Sequence, residues 1–294
     1  MIISTHQPGI LKEIPEVSRY LTCQLLPDAH PGKALSRLAA HVDEHTVVGL
    51  GHASVARLGR MIPGLREPMC LAGPEISFPA TPAALWLWLR GSDRGELVHR
   101  THALEDVLDG AYAIESIVDG FKFQDGRDLS GYVDGTENPK GEDAMTAAFA
   151  IAPREGLTGG SYVAVQTWVH QLNRLQDFSA DEQDNMVGRS RATNEELASA
   201  PPSAHVKRTA QESFAPEAFL LRRSMPWADR DGEGLVFVAF GRSFDAIEAI
   251  QRRMVGLEDG ITDALFRFTQ PISASYFWCP PVSNGELDLS ALDL

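Results

Sequence analysis

Cysteine is scarce in this chain of 294 residues: Cys23, Cys70 and Cys279 lie far apart, with no CxxC pair. That excludes a disulfide-stapled scaffold, gives no structural zinc site, and makes the cytoplasm the expected compartment. Basic residues are few as well. The 26 Lys and Arg stand against 40 Asp and Glu, a formal charge of −14, and no Lys/Arg run offsets it. Phosphate backbones and anionic lipid are repelled by such a chain, so neither nucleic acid nor membrane is expected as a partner. No apolar run reaches the roughly 20 residues of a membrane span. The opening residues, MIISTHQP, show no basic region, twin-arginine pair or apolar stretch of the kind an export signal has. Low-complexity tracts are also missing, and 44% hydrophobic with 22% charged residues is the composition of a folded globular protein large enough for two domains.

What is present is an alternation of strand-like and helix-like segments. Residues 18–27 (SRYLTCQLLP) read as a strand, 33–45 carry apolar residues at helical spacing, and 46–55 (TVVGLGHASV) are strand-like again. The run 84–90 (ALWLWLR) predicts a strand and 96–108 an amphipathic helix. The second half repeats the pattern, with strand-like segments at 161–170, 218–223 and 235–240 and a helix over 244–255. LWLWLRGSDRGELVHR and LVFVAFGRSFDAIEAI both set a short polar loop between an apolar strand and a helix, as a duplicated βαββαβ unit does. Between the halves, 124–160 is rich in Gly, Asp, Pro and Thr and reads as a long connector.

Three segments carry candidate chemistry. In Gly131-Tyr132-Val133-Asp134-Gly135-Thr136-Glu137-Asn138-Pro139, flanking glycines free the backbone to bring the Asp134 carboxylate against a ligand; a solvated turn is the plainer reading of a bare GxxDG string. In Ser203-Ala204-His205-Val206-Lys207-Arg208, the imidazole of His205 suits a metal and Arg208 an anionic group of the same ligand, although loop histidines are commonly solvated. In Leu220-Leu221-Arg222-Arg223-Ser224-Met225-Pro226, strand alternation sends one of two adjacent arginines inward, where it needs a partner. The HVDEH string, His41 to His45, has i,i+4 spacing but no third ligand nearby and reads as a polar helix face. Trp86 and Trp88 alternate with leucines and read as core.

Taken in order, GYVDGTENP, GGSYVAVQTWVHQL, SAHVKR, LLRRSMP and DALFRFTQPISASYFWCPP resemble the dye-decolourising peroxidase family of haem enzymes, in its compact B-type bacterial branch. The resemblance runs from VVGLGHASVARLG through nearly the whole chain. It implies an α+β fold of tandem ferredoxin-like halves (the dimeric α+β barrel type), with antiparallel sheets and peripheral helices. The halves are expected at 1–143 and 144–294, the second carrying most of a haem b site. On the matching positions, His205 is the implied iron ligand, Asp263 the acidic residue that orients it, Asp134 the distal acid/base and Arg222 the distal cation. Ser224 takes the family's Asn/Ser position, and Arg208 is expected to offset a propionate. Glu137 is a candidate for the entrance or a propionate, equally readable as an exposed loop residue. Phe237 is a candidate wall of the pocket, with plain core as its default. His170 is the rival for iron, ranked below His205.

The activity implied is reduction of hydrogen peroxide coupled to oxidation of dyes, phenols or other small reductants. The alternatives are a porphyrinogen oxidase or haem-iron-releasing enzyme, and a non-catalytic haem carrier or sensor, for which the Asp134 and Arg222 pair has no use. A homo-oligomer is expected from the family. The short acidic stretch 284–294 gives no extension of the sort that targets cargo to a protein nanocompartment, so an encapsulating shell is not expected as a partner.

Overall fold

The computed structural model describes residues 5–74, 76–152 and 154–294. Its strands are β1 (Val17–Leu25), β2 (Thr46–Leu50), β3 (Leu85–Gly91) and β4 (Tyr112–Phe121), then β5 (Ser161–His170), β6 (Leu221–Arg222), β7 (Met225–Ala228), β8 (Glu233–Gly241) and β9 (Thr269–Cys279). They form one sheet of 9 strands in the order β5-β9-β2-β3-β1-β4-β7-β8-β6, and a further pairing of β8 with β5 closes it on itself. All of these pairings are antiparallel. β6 and β7 pair in succession with one edge of β8, at Ala239↔Arg222 and at Val236↔Met225 onward. The first half thus runs β2-β3-β1-β4 and the second β9-β5-β8-β7, the same ferredoxin-like order twice. Trp278↔Leu50 and Gly120↔Trp227 join them into a barrel.

β3 shows why the sequence makes this structure. Both faces of the strand are buried, so it reads as a continuous apolar run and not as an alternation of apolar and polar. Trp86 and Trp88 point into the barrel, among Tyr20, Phe240 and Phe277, while Leu85, Leu87 and Leu89 face the outer core. Trp86 stacks on Phe277 and Trp88 on Phe240, with ring centroids 6.0 Å and 6.2 Å apart. Helices α1 (Gly32–Leu38) and α2 (Arg94–Leu108) cover the first half. The Asp93 side chain caps α2 by accepting from the Glu96 amide at 3.0 Å.

Several expected elements run too long. The helix expected over 33–45 ends at Leu38, and a 3-10 turn takes Ala39–His41. HVDEH is therefore not a helix face: Val42 is extended, and the Asp43 carboxylate accepts from the His45 amide at 2.8 Å in a turn before β2. The segment 46–55 stops as a strand at Leu50, and His52–Arg57 is helical. Gly51 precedes that helix in extended conformation and lies against the Ala83 carbonyl, where an added Cβ would come within 1.8 Å of the oxygen. Of 218–223, only Leu221–Arg222 joins the ladder. The connector 124–160 contains α3 (Gly141–Ala148), with Glu142 and Asp143 in its first turn, where carboxylates favour the helix dipole. In the second half, α4 (His205–Arg208) and α5 (Asp245–Met254) lie against each other. No helix among the described residues is long and apolar enough to cross a membrane.

Candidate active site

A cavity of about 160 Å³ is lined mainly by the second half, with Phe78 and residues of the segment 128–134 reaching it from the first. Strand parity assigns its floor: from β5 come Gln166, Trp168 and His170, and from β8 Leu235 and Phe237, whereas Val165, Val236 and Val238 turn into the barrel. From α5, Ile247, Ile250, Gln251 and Met254 close over it at i, i+3, i+4 and i+7 spacing.

The connector delivers Asp134. Gly131 and Gly135 take φ of 91° and 73°, the left-handed region that glycine enters without penalty, and the chain between them folds back on itself. The Gly135 amide donates to Asp134 Oδ1 at 2.8 Å. Four residues on, Asn138 fixes the segment to β6: the Arg222 amide donates to Asn138 Oδ1 at 2.8 Å and Asn138 Nδ2 donates to the Arg222 carbonyl at 3.0 Å. One side chain thereby ties Asp134 and Arg222 into a single unit. Burial pushes the Asp134 carboxyl above the usual carboxylate range; Arg222 opposes the rise, the Asp128 charge adds to it, and the Gly135 amide and His205 oppose it. Arg222 Nε is buried and has no hydrogen-bond partner among the described residues.

His205 opens α4. Its Nδ1 lies 2.8 Å from Asp263 Oδ2, and Asp263, 1% exposed, also accepts from the Leu265 amide at 2.9 Å. With Nδ1–H donated to the carboxylate, the ring is held in the tautomer whose Nε2 lone pair is free, and that nitrogen has no partner among the described residues.

The cavity brings together His205, Asp134, Arg222 and Phe237, with Asp263 behind His205. It does not bring in Arg208, Ser224 or Glu137. The Arg208 guanidinium donates to both Asp259 oxygens at 2.7 Å and to the Arg253 carbonyl, so its charge is already matched away from the cavity. Ser224 is buried between β6 and β7, where Oγ accepts from the Val238 amide at 3.4 Å. Glu137 is ion-paired with Arg189 on the rim of a separate, larger groove of about 1040 Å³. His170 lines the cavity, but both of its ring nitrogens have partners, Thr269 and Asp128. Asp128 and Gln166, not singled out from the sequence, also face it; the even-numbered parity of SYVAVQTWVH is the signal that finds Gln166, whereas nothing local marks Asp128. Among the described residues, no cluster of three or more His, Cys, Asp or Glu is placed to hold a bare metal ion.

A closed barrel of two ferredoxin-like halves, with a buried carboxylate, a guanidinium and a carboxylate-backed imidazole converging on one apolar cavity, defines the structural class. The chain belongs to the Dyp-type peroxidase family: the family's C-terminal sequence profile matches residues 125–284, more than half of it. It is 30% identical over 218 residues to the dye-decolorizing peroxidase of Mycobacterium tuberculosis, an alignment covering 72% of this chain and 65% of that protein, just under two thirds of its length. Among solved structures, a dyp-type peroxidase protein from Shewanella oneidensis superposes with a TM-score of 0.90 at 25% identity, over 99% of this chain and 98% of its own. A variant of DypB from Rhodococcus jostii RHA1, in complex with heme, shares the fold at 24% identity, with a TM-score of 0.85 over 95% and 97% of the two chains. The encapsulated DyP-type peroxidase of Mycobacterium smegmatis has it too, with a TM-score of 0.84 at 24% identity over 95% and 96%. That neighbour overturns the expectation against an encapsulating shell: a protein of this fold is found inside one, and the acidic residues 284–294 carry no argument to the contrary.

Proposed function

We propose that the chain is a haem-dependent peroxidase that reduces hydrogen peroxide and oxidises dyes, phenols or similar small reductants. The observation that carries this reading is the pairing, in one cavity, of a buried carboxyl whose proton affinity is raised with a half-buried arginine whose Nε is buried and has no hydrogen-bond partner among the described residues. The residues fit a b-type haem: a free imidazole Nε2 for iron, an arginine whose buried Nε has no partner among the described residues, and apolar side chains such as Leu235, Phe237 and Met254 to exclude water. Family membership and the heme complex of the Rhodococcus jostii protein support the same group. When bound, haem supplies the iron that coordinates peroxide and takes up its oxidising equivalents.

The protein's own groups do the rest. Asp134 takes the proton that peroxide loses on binding and returns it to the far oxygen, so that water can leave. Its raised proton affinity suits both halves of that task, since a carboxyl of ordinary acidity would hold the proton too weakly to return it. Arg222 stabilises the negative charge that develops as the O–O bond lengthens, in a site too dry for water to do so. Asp263 fixes the tautomer and orientation of the His205 ring through the Nδ1–H bond. Phe237 walls the pocket. Residues 1–143 and 144–294 are taken as the two halves; His205, Arg222 and Asp263 come from the second, and Asp134 reaches across from the first. The cytoplasm is the compartment we assign, on the three free cysteines.

The test is a visible absorption spectrum of the haem-loaded protein before and after one equivalent of hydrogen peroxide. A Soret band that changes with peroxide and returns when a reducing dye is added is the expected result. A Soret band indifferent to peroxide points to a carrier or sensor, and no Soret band at all overturns the haem assignment.

A further inference from the structure

His170 ends β5 buried in the cavity wall, and the proposed reaction gives it no part. Its Nδ1 is 2.7 Å from Thr269 Oγ1 on β9, and its Nε2 is 2.9 Å from Asp128 Oδ1. The other Asp128 oxygen accepts from the Ser130 amide at 2.9 Å and from the Ser130 hydroxyl. Asp128 belongs to the same folded-back segment as Asp134: its amide donates to the Tyr132 carbonyl at 2.9 Å, and the Asp134 amide donates to the Gly126 carbonyl at 3.2 Å. Thr269 Oγ1 has a second neighbour, the Val169 carbonyl at 3.1 Å.

A hydroxyl has one hydrogen to donate and can accept in addition. When Thr269 donates to Val169 it accepts from His170 Nδ1–H; Nε2–H donates to Asp128, and the ring is an imidazolium paired with a carboxylate. When Thr269 turns its hydrogen to Nδ1, the ring is neutral and Nε2–H still donates to Asp128. A buried ring is confined to one protonation state where the other would strand a nitrogen without a partner, since an unsatisfied buried polar group is costly. Here the rotation of one hydroxyl satisfies both.

We propose that His170, acting through Asp128 and Thr269, is a proton-storing positioning residue that governs when Asp134 holds its proton. This rests on the reading of Asp134 as the proton-handling carboxyl. Among the described residues, the charged or titratable group touching His170 is Asp128; Asp134, Arg222 and His205 lie beyond it in the cavity, and the segment at the start of β9 brings the Thr269 hydroxyl and, just before it, the Phe268 ring, at 5.9 Å. An imidazolium cancels the Asp128 charge and lets Asp134 ionise. A neutral ring leaves that charge standing and holds Asp134 protonated. The electrostatics agree: burial is the largest influence lifting Asp134, and the Asp128 charge adds to it. Burial likewise acts to raise Asp128, but the hydrogen bonds from His170 and Ser130 outweigh it and leave Asp128 below the usual range.

The test compares pH profiles for the reaction of haem-loaded protein with hydrogen peroxide in His170→Gln and Asp128→Asn. Glutamine keeps a donor for Asp128 and an acceptor for Thr269 but carries no proton charge, so the acid limb moves up by about one pH unit; Asp128→Asn removes the repelling charge and moves it down by about as much. Shifts of opposite sign are the signature. A limb that stays in place in both variants, or moves the same way in both, reduces the pair to a structural anchor and overturns the proposal. In the cofactor-free chain, nitrogen-15 histidine NMR should show His170 titrating reversibly, with its midpoint lowered in Asp128→Asn. A ring held in one state at every pH at which the fold survives also overturns it. The NMR result needs no haem, so failure of the peroxidase reading and failure of this one are distinguishable.

Discussion

His205, Arg222 and Asp134 each make a separate demand on the molecule. His205 is the residue whose Nε2 is left free by the bond to Asp263, so His205→Ala should lose the haem spectrum of a histidine-bound iron; retention of it would move that role elsewhere. Arg222 has a buried Nε with no partner among the described residues, and Arg222→Leu should keep haem yet slow the reaction with peroxide about a hundredfold or more, the usual cost of removing one donor from a developing anion, as read by stopped-flow absorbance. Asp134 gives a stability prediction whose sign follows from linkage. Its carboxyl is raised in the folded chain, chiefly by burial, so the folded state binds this proton more tightly than the unfolded one. The contribution is therefore favourable below the ordinary aspartate value and is lost as pH rises through the folded one. Asp134→Asn should be more stable than the parent at neutral pH in the cofactor-free chain, and the gap should close on acidification. Denaturant midpoints across pH check this, and a gap that widens toward low pH contradicts it.

At the scale of elements, the site depends on how the connector docks onto β6. Asn138 supplies both hydrogen bonds, to the amide and the carbonyl of Arg222. Asn138→Ala removes the partner of the Arg222 amide and leaves the Arg222 carbonyl with Arg223 Nη1 at 3.1 Å, and should cost about 1–3 kcal/mol in denaturant unfolding, with a slower peroxide reaction at unchanged haem content. A variant that lost stability but reacted at the parental rate would detach Asn138 from the positioning of Asp134 and Arg222. The connector also shows what sequence pattern misses. Its glycines and prolines mark a loop correctly, but the contacts that make it functional are made across 84 positions of chain, and no local pattern carries them. Residues 46–55 fail as one strand because a helix begins at His52, and the Ala83 carbonyl, which leaves no room for a Cβ at Gly51, comes from a distant part of the chain.

At the scale of the molecule, the two halves share one closed sheet and a barrel interior in which Tyr20, Trp86 and Trp88 of the first pack with Val238, Phe240 and Phe277 of the second. Unfolding one half would expose the other's aromatic core, so urea denaturation should follow a single transition, with tryptophan fluorescence and far-ultraviolet circular dichroism coinciding. Trp88→Ala empties a fully buried site in that shared interior and should move the whole transition together, by about 3–5 kcal/mol. Two separated transitions would show the halves to be independent.

The sequence by itself determined the duplicated strand-and-helix grammar, the strand at ALWLWLR, and the candidacy of Asp134, His205, Arg222 and Phe237, because periodicity and short motifs are local properties of a chain, while Asp263 became a candidate through the resemblance to the family. Tertiary structure alone decided that Arg208 is matched by Asp259, that Ser224 serves a strand junction, that Glu137 pairs with Arg189 on a separate groove, and that His170 is bound at both nitrogens. The reason is electrostatic and geometric. A charged or polar side chain takes whichever partner the fold brings within about 3 Å, and that partner comes from a distant part of the chain.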